Sequence, residues 1–268
     1  MRKTIIASAV IAVLSVPAIA VAEEAAPAAS PFTGNMTIDS EYLYRGIAQT
    51  RGKPALQGGF DYAHSSGVYV GIWGSNISWI SDAVPGASAS LEVDIYGGYK
   101  GTAGPIGYDV GVLTYNYPGT GKTLAGTQEL KQDTTEVYGA VTWQFLTVKY
   151  SHSTTALFGW SKAGTMTDKT TGSGYLEVNA AFDLGNGFGV SGHVGHQKVK
   201  GRDNASYTDL KIGATKDVGV GVIGLYVSGT DGNADCAKAD AYCSAKPSTG
   251  RTYDAGKTRV VATFGKTF

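Results

Sequence analysis

The sequence predicts an all-β protein: an antiparallel transmembrane β-barrel of about 12 strands with short periplasmic turns and longer extracellular loops. Three observations predict it. Segments of roughly a dozen residues alternate apolar and polar side chains, the links between them alternate short and long, and the chain opens on an export-signal pattern and ends in Phe268.

The elements follow in order. Arg2 and Lys3 give a basic start, Ile5 to Val16 is a compact apolar run, and Ala20-Val21-Ala22 after Pro17 fits a small-residue cleavage pattern. The run is short for a spanning helix of about 20 residues. The reading is therefore a signal peptide over 1–22, cleaved on export, a flexible lead-in over 23–32, and a barrel over 33–268.

Period-two segments lie near 35–45, 55–64, 68–76, 89–99, 106–116, 134–144, 146–154, 174–183, 188–197, 206–216, 219–229 and 258–268. The pattern is sharpest in "SLEVDIYGGY", where Leu91, Val93 and Ile95 alternate with Glu92 and Asp94. A strand of this kind has one apolar and one polar face. The links near 64–67, 100–104, 144–147, 184–187 and 217–219 are short, and Asn186-Gly187 is a hairpin turn signal. Between them come long polar links near 46–54, 77–88, 117–133, 155–173, 198–205 and 230–257. A soluble sandwich has no reason to sort its loops so strictly, whereas a barrel with periplasmic turns and extracellular loops does. The oil then faces lipid, and Glu92 and Asp94 face the lumen. In 219–229, Val218, Val220 and Val222 share one parity and Ile223, Leu225 and Val227 the other, which a bulge near Val222-Ile223 would produce; its faces stay unassigned.

The chain ends on a strand whose Val260, Ala262, Phe264 and Phe268 share a parity. Phe264 and Phe268 fit the address read by barrel-assembly machinery. The 38 Gly and 16 Tyr suit closely packed, curved strands with aromatics at the membrane interfaces. Cys236 and Cys243, in an exported chain with no His or further Cys near, read as a disulfide closing a small loop.

The stretch "DSEYLYRGIAQTRGKPALQGGFDYAHSSGVYVGIWGSNISW" resembles the opening of the TorF-type porin family, bacterial outer-membrane proteins long catalogued as of unknown function. The matching residues include Tyr42, Arg45, Gly46, Gln49, Pro54, Gly58, Gly59, Asp61, Trp73, Gly74 and Asn76. "LEVDIYGGY", "YDVGVLTYNYP" and "GYLEVNAAFDL" are also similar to it. The resemblance implies an outer-membrane barrel that conducts small solutes, and it carries no substrate.

Parity sets a list of lumen-facing charges: the acids Asp39, Glu41, Asp61, Glu92, Asp94, Asp109, Glu136, Glu177 and Asp209 against the bases Arg45, Lys149, Lys211 and Arg259. An acid-rich wall in a confined channel favours cations. The opposite reading is a network of paired charges that fills a narrow barrel. Twelve strands lie between side-chain-filled and open barrels, so a narrow or partly plugged pore is expected. Loops 117–133 and 155–173 are long enough to fold inward, and Arg45 can pair with one of the acids.

Other classes find little. A formal net charge of zero argues against nucleic acid, which needs a basic footprint. A lipid hydrolase needs a His beside a Ser and a third group to orient it. Ser191 and His193 would face the lumen, His64 and Ser66 fall at a periplasmic turn, and His152 meets only Thr154. The four His are scattered without metal spacing, "GNGFG" is a hairpin turn with no helix after it, and no cofactor is expected. The function expected is an outer-membrane porin for passive diffusion of small polar or cationic solutes. The alternative is a closed barrel acting through its extracellular loops as an adhesin, receptor or structural protein. Its partners would be outer-membrane lipid and lipopolysaccharide, the assembly machinery and small solutes.

Overall fold

In the computed structural model, residues 30–83, 87–119, 131–161, 168–238, 240–245 and 249–268 are described. Twelve strands form one closed antiparallel barrel: β1 (Phe32–Asp39), β2 (Ala55–Ala63), β3 (Val68–Asn76), β4 (Leu91–Ala103), β5 (Ile106–Asn116), β6 (Thr134–Trp143), β7 (Leu146–Ser153), β8 (Gly174–Gly185), β9 (Phe188–Lys198), β10 (Tyr207–Asp217), β11 (Val222–Thr230) and β12 (Arg259–Thr267). Each strand pairs with its neighbours in sequence, and β1 closes on β12 with Asn35 opposite Thr267 and Asp39 opposite Thr263. Closure leaves no free strand edge, which is what lets a sheet cross hydrocarbon.

The alternation sorts side chains to two surfaces. Phe60, Ile72, Ile95, Val112, Val141, Leu176, Leu210, Ile212, Ile223 and Val260 are exposed on the outside. Soluble monomers rarely expose a contiguous apolar patch of more than a few hundred Å². An apolar belt around the whole barrel therefore belongs in lipid, and the fold is a transmembrane barrel. Its other parity is polar and turned inward, with Glu92, Asp109, Glu136 and Asp209 all buried.

Links of a few residues join β2–β3, β4–β5, β6–β7, β8–β9 and β10–β11 at one end. The long links 40–54, 77–90, 117–133, 154–173, 199–206 and 231–258 lie at the other, which by loop length is the extracellular end. The β8–β9 turn has Asn186 at φ 53 and Gly187 at φ 76, the two positive values that the Asn-Gly pair supplies.

Several sequence boundaries shift. The first strand runs from Phe32 to Asp39; residues 1–29, with the expected signal peptide and most of the expected lead-in, lie outside the described residues. Beyond Asp39 the alternation of "EYLYRG" belongs to a separate two-stranded hairpin, Leu43–Tyr44 with Ile47–Ala48. β4 continues to Ala103, which puts Lys100 on the lumen face. The expected bulge near Val222-Ile223 is absent: Val218 and Val220 lie in an exposed turn, and β11 begins at Val222 with Ile223, Leu225 and Val227 outward. The mixed parity was a turn joined to a regular strand.

Cys236 and Cys243 form a disulfide in the last long link, with Cα atoms 5.1 Å apart. Cys243 begins a short strand, Cys243–Ala245, that pairs with Thr252–Asp254.

Candidate lumen site

The feature that governs the lumen is the link 40–54, which folds into the bore. Its hairpin turns on Arg45 (φ 47) and Gly46 (φ 76), the two left-handed residues of a tight hairpin turn. The left-handed region is routine for Gly but strained for Arg, so contacts at the tip must hold it there. Arg45 makes a bidentate pair with Glu136 on β6, Nη1–Oε1 3.0 Å and Nη2–Oε2 2.7 Å, and donates to Gln197 Oε1 on β9 at 2.8 Å. Its guanidinium lies 4.1 Å from the Tyr175 ring centroid and 4.8 Å from that of Tyr44. Gly46 rests against the opposite wall: a Cβ there would come 2.5 Å from Thr230 Cγ2 and 2.9 Å from Asp209 Cβ. The hairpin, anchored beside β1 and β2, thus reaches across to β6 and β8–β11.

The remaining inward charges sit in clusters organised by tyrosines. Tyr69 donates to Asp109 at 2.6 Å and bonds Tyr138, while Lys149 lies over the Tyr138 ring at 4.3 Å and Lys100 over that of Tyr69 at 5.4 Å. Tyr175 donates to Asp209 at 2.8 Å, and His193 lies 2.8 Å from Asp209 and 2.7 Å from Asn179, which donates to Glu177 at 2.9 Å. Arg259 pairs with Glu41 at 3.1 Å and stacks on Tyr253, and Lys211 lies over Tyr226 at 5.1 Å. Asp39 is buried at the top of β1, with Oδ1 lacking a hydrogen-bond partner.

The β2–β4 wall differs. Tyr96 donates to Asp61 at 2.6 Å and Tyr42 to Glu92 at 2.8 Å, but Asp94 Oδ1 is buried without any hydrogen-bond partner. Burial, then the charge of Glu92, pushes the Tyr42 phenol well above its ordinary value, so it remains a donor. Above this wall Tyr42, Ile77, Ile80, Ala89, Tyr115 and Tyr117 form an apolar cluster under the extracellular links.

The sequence-predicted site residues are thus placed as follows. Asp39, Asp61, Glu92, Asp94, Asp109, Glu136, Lys149, Glu177, Asp209, Lys211 and Arg259 stand on barrel strands with inward parity, whereas Glu41 and Arg45 reach the lumen from the inserted link. The segment seen to fold into the bore is 40–54; of the two links long enough to fold inward, 155–173 lays Phe158 edge-on to Tyr44 and Tyr115, and 120–130 of 117–133 and 162–167 of 155–173 lie outside the described residues. Phe264 and Phe268 are exposed, Phe264 on the outer face of β12 and Phe268 just past its end. Sequence reading missed Lys100, assigned to a turn, and the lumen tyrosines. Only Tyr62, Tyr99, Tyr108 and Tyr150 occupy outward positions on the strands; the rest of the 16 serve the lumen and the links instead of a membrane interface. Their parity with the acids was the available signal. Among the described residues no group of His, Cys, Asp and Glu could hold a metal ion.

An apolar exterior around a charged, tyrosine-rich interior defines a transmembrane β-barrel with a polar lumen. The chain belongs to the family described as "Bacterial protein of unknown function (Gcw_chp)", which matches residues 23–268. That description carries neither an activity nor the TorF name. No curated protein matches the chain. Among solved structures it is similar to a KdgM porin, with a TM-score of 0.48 and 6% identity over 88% of this chain and 98% of that one. It is also similar to Pseudomonas aeruginosa OprD, with a TM-score of 0.40 and 11% identity over 88% of this chain and 67% of that one.

Proposed function

We propose that this chain is a porin of the bacterial outer membrane, passing small polar or cationic solutes by passive diffusion through a lumen narrowed by the 40–54 hairpin. The observation that carries the reading is the inward charge set. Acids outnumber bases on the strands and the inserted link, and Asp61, Glu92 and Asp94 have no ion-pair partner among the described residues. Fixed negative charge in a narrow bore raises the local concentration of cations. The TorF-type resemblance points the same way. On this reading the chain is exported through a cleaved signal peptide, Phe264 and Phe268 engage the assembly machinery, and lipopolysaccharide surrounds the extracellular rim. The lumen side chains act as positioned charges and hydrogen-bond donors, and no bond-making chemistry is assigned to them.

One observation favours a second reading. The hairpin tip, locked to Glu136 and Gln197, crosses the bore and brings the long links together at its mouth. A barrel closed this way would act through its extracellular links as an adhesin, receptor or structural protein. Single-channel recording of refolded protein in planar bilayers separates the two. Steady unitary currents support the pore; a silent bilayer containing folded protein supports the closed barrel.

A further inference from the structure

The lumen bases follow one rule. Arg45 lies over Tyr44 and Tyr175, Lys100 over Tyr69, Lys149 over Tyr138, Lys211 over Tyr226 and Arg259 over Tyr253. Each places an ammonium or guanidinium on an aromatic face, the attraction expected between a cation and the negative face of a ring. On most of the wall the carboxylates and the cation-bearing tyrosines interleave.

One place has the rings and the carboxylate but lacks the cation. Asp94 on β4 has Trp73 directly opposite on β3 and Tyr115 directly opposite on β5, so aromatic side chains flank it on both sides. Tyr96 is the next inward residue along β4 toward the periplasm, and Glu92 is the next toward the extracellular end. The inserted hairpin adds the Tyr42 ring, edge-on to Trp73 with centroids 5.7 Å apart, while Tyr44, edge-on to Tyr115 at 5.4 Å, already carries Arg45 and lies outside this set. Asp94 is 8% exposed and its Oδ1 has no hydrogen-bond partner, while no Lys, Arg or His pairs with Asp94 or Glu92 among the described residues. Leaving a buried carboxylate oxygen without a partner forfeits its hydration with nothing in return, so such an atom calls for a missing partner. Trp73 and Tyr96 are half-buried, so the site has an edge toward the bore, and Asp61, bonded to Tyr96, is a second acid on the approach from the periplasmic side.

We infer that Asp94, boxed by Trp73, Tyr115 and Tyr96, is a binding site for a small organic cation carrying a primary ammonium or guanidinium head. The head occupies the place that Lys or Arg fills on the other walls: it donates to Asp94 and rests on the flanking rings. A bare carboxylate would hold potassium as readily, whereas the rings favour a head group joined to a short alkyl chain. The inference deepens the cation-favouring reading of the lumen and rests on that assignment of charge.

The test is calorimetric titration of the refolded full chain in detergent with n-butylammonium chloride at constant ionic strength, using n-butanol and potassium chloride as controls. Folding of every variant is checked by heat-dependent gel mobility. Saturable binding of butylammonium is expected, with no saturation by butanol and no displacement by equimolar potassium. Asp94→Asn should weaken it at least about tenfold, the scale of one charge-assisted hydrogen bond. Trp73→Leu should also weaken it, while Asp183→Asn, an exposed acid at the periplasmic end of the lumen face, should leave it unchanged. Failure of folded wild type to saturate, equal displacement by potassium, or equal losses for Asp94→Asn and Asp183→Asn would each overturn the site. The titration reads binding without current, so a silent bilayer would remove the pore reading and leave this result to stand or fall separately.

Discussion

Arg45→Ala is the sharpest perturbation of the inserted hairpin. Arg45 and Glu136 meet at 2.7 Å with side-chain exposures of 8% and 3%. Removing one member of a buried pair costs about 3–5 kcal/mol, because the other charge is left buried and alone. Loss of the cation–π contact with Tyr175 adds about 1–2 kcal/mol. Away from Arg45 the hairpin is held by neutral contacts of Tyr42 with Glu92 and Tyr44 with Tyr115, and at its base by Glu41 with Arg259. Once Arg45 is gone, no cation offsets the desolvation of Glu136, and the left-handed turn keeps only the neutral bond of Tyr44 to Tyr115 near its tip. Moving the tip out of the bore lets water reach that carboxylate and caps the loss of barrel stability at about 3 kcal/mol. The same movement widens the path. Arg45→Ala should therefore give a larger unitary current in planar bilayers and a lower denaturant midpoint in vesicles. Adding Glu136→Gln should restore part of the stability while keeping the larger current. An Arg45→Ala barrel with wild-type current and wild-type midpoint would refute the reasoning, as would a double variant that recovers nothing.

Three further outcomes are expected. Gly46→Val should raise the unitary current with Arg45 intact, since even its first side-chain carbon would meet Thr230 Cγ2 at 2.5 Å and unseat the tip; single-channel recording reads it. Ile95→Arg should lower folding yield in vesicles by the about 2–4 kcal/mol that Arg costs at the bilayer midplane, whereas Ile95→Ala should fold nearly as wild type. Cys236→Ser should leave the barrel's denaturant midpoint unchanged but speed proteolysis within 231–258, because the disulfide closes a loop with a sequence separation of only 7; an unchanged cleavage pattern would count against local ordering.

Wall strands were legible because lipid and lumen impose opposite polarity on successive side chains, as Leu91 to Ile95 display. The same periodicity misled at Glu41 to Arg45. A hairpin laid inside a polar lumen alternates much as a wall strand does, and period two cannot say which sheet a strand joins. Val218 to Val222 misled in the reverse sense: a turn exposing two valines looks like a strand of the wrong phase. Inward charges could be listed from parity, but their partners could not. The contact of Arg45 with Glu136 spans 91 residues and that of Tyr42 with Glu92 spans 50, separations that local pattern does not encode. The 16 tyrosines suggested membrane interfaces from composition, whereas their phase relative to Glu92, Asp109 and Asp209 pointed to the lumen.

The central claim is that the narrowed, acid-rich lumen conducts and favours cations. Reversal potential across a potassium chloride gradient tests it most directly, with wild type compared to the Glu92→Gln, Asp94→Asn double variant. Within a Debye length of about 10 Å at 0.1 M salt the wall charges reach any ion in the bore. Wild type should therefore prefer potassium, the preference should fade as salt is raised, and the double variant should lose much of it. An anion preference in wild type, or an undiminished potassium preference in the double variant, would contradict the account.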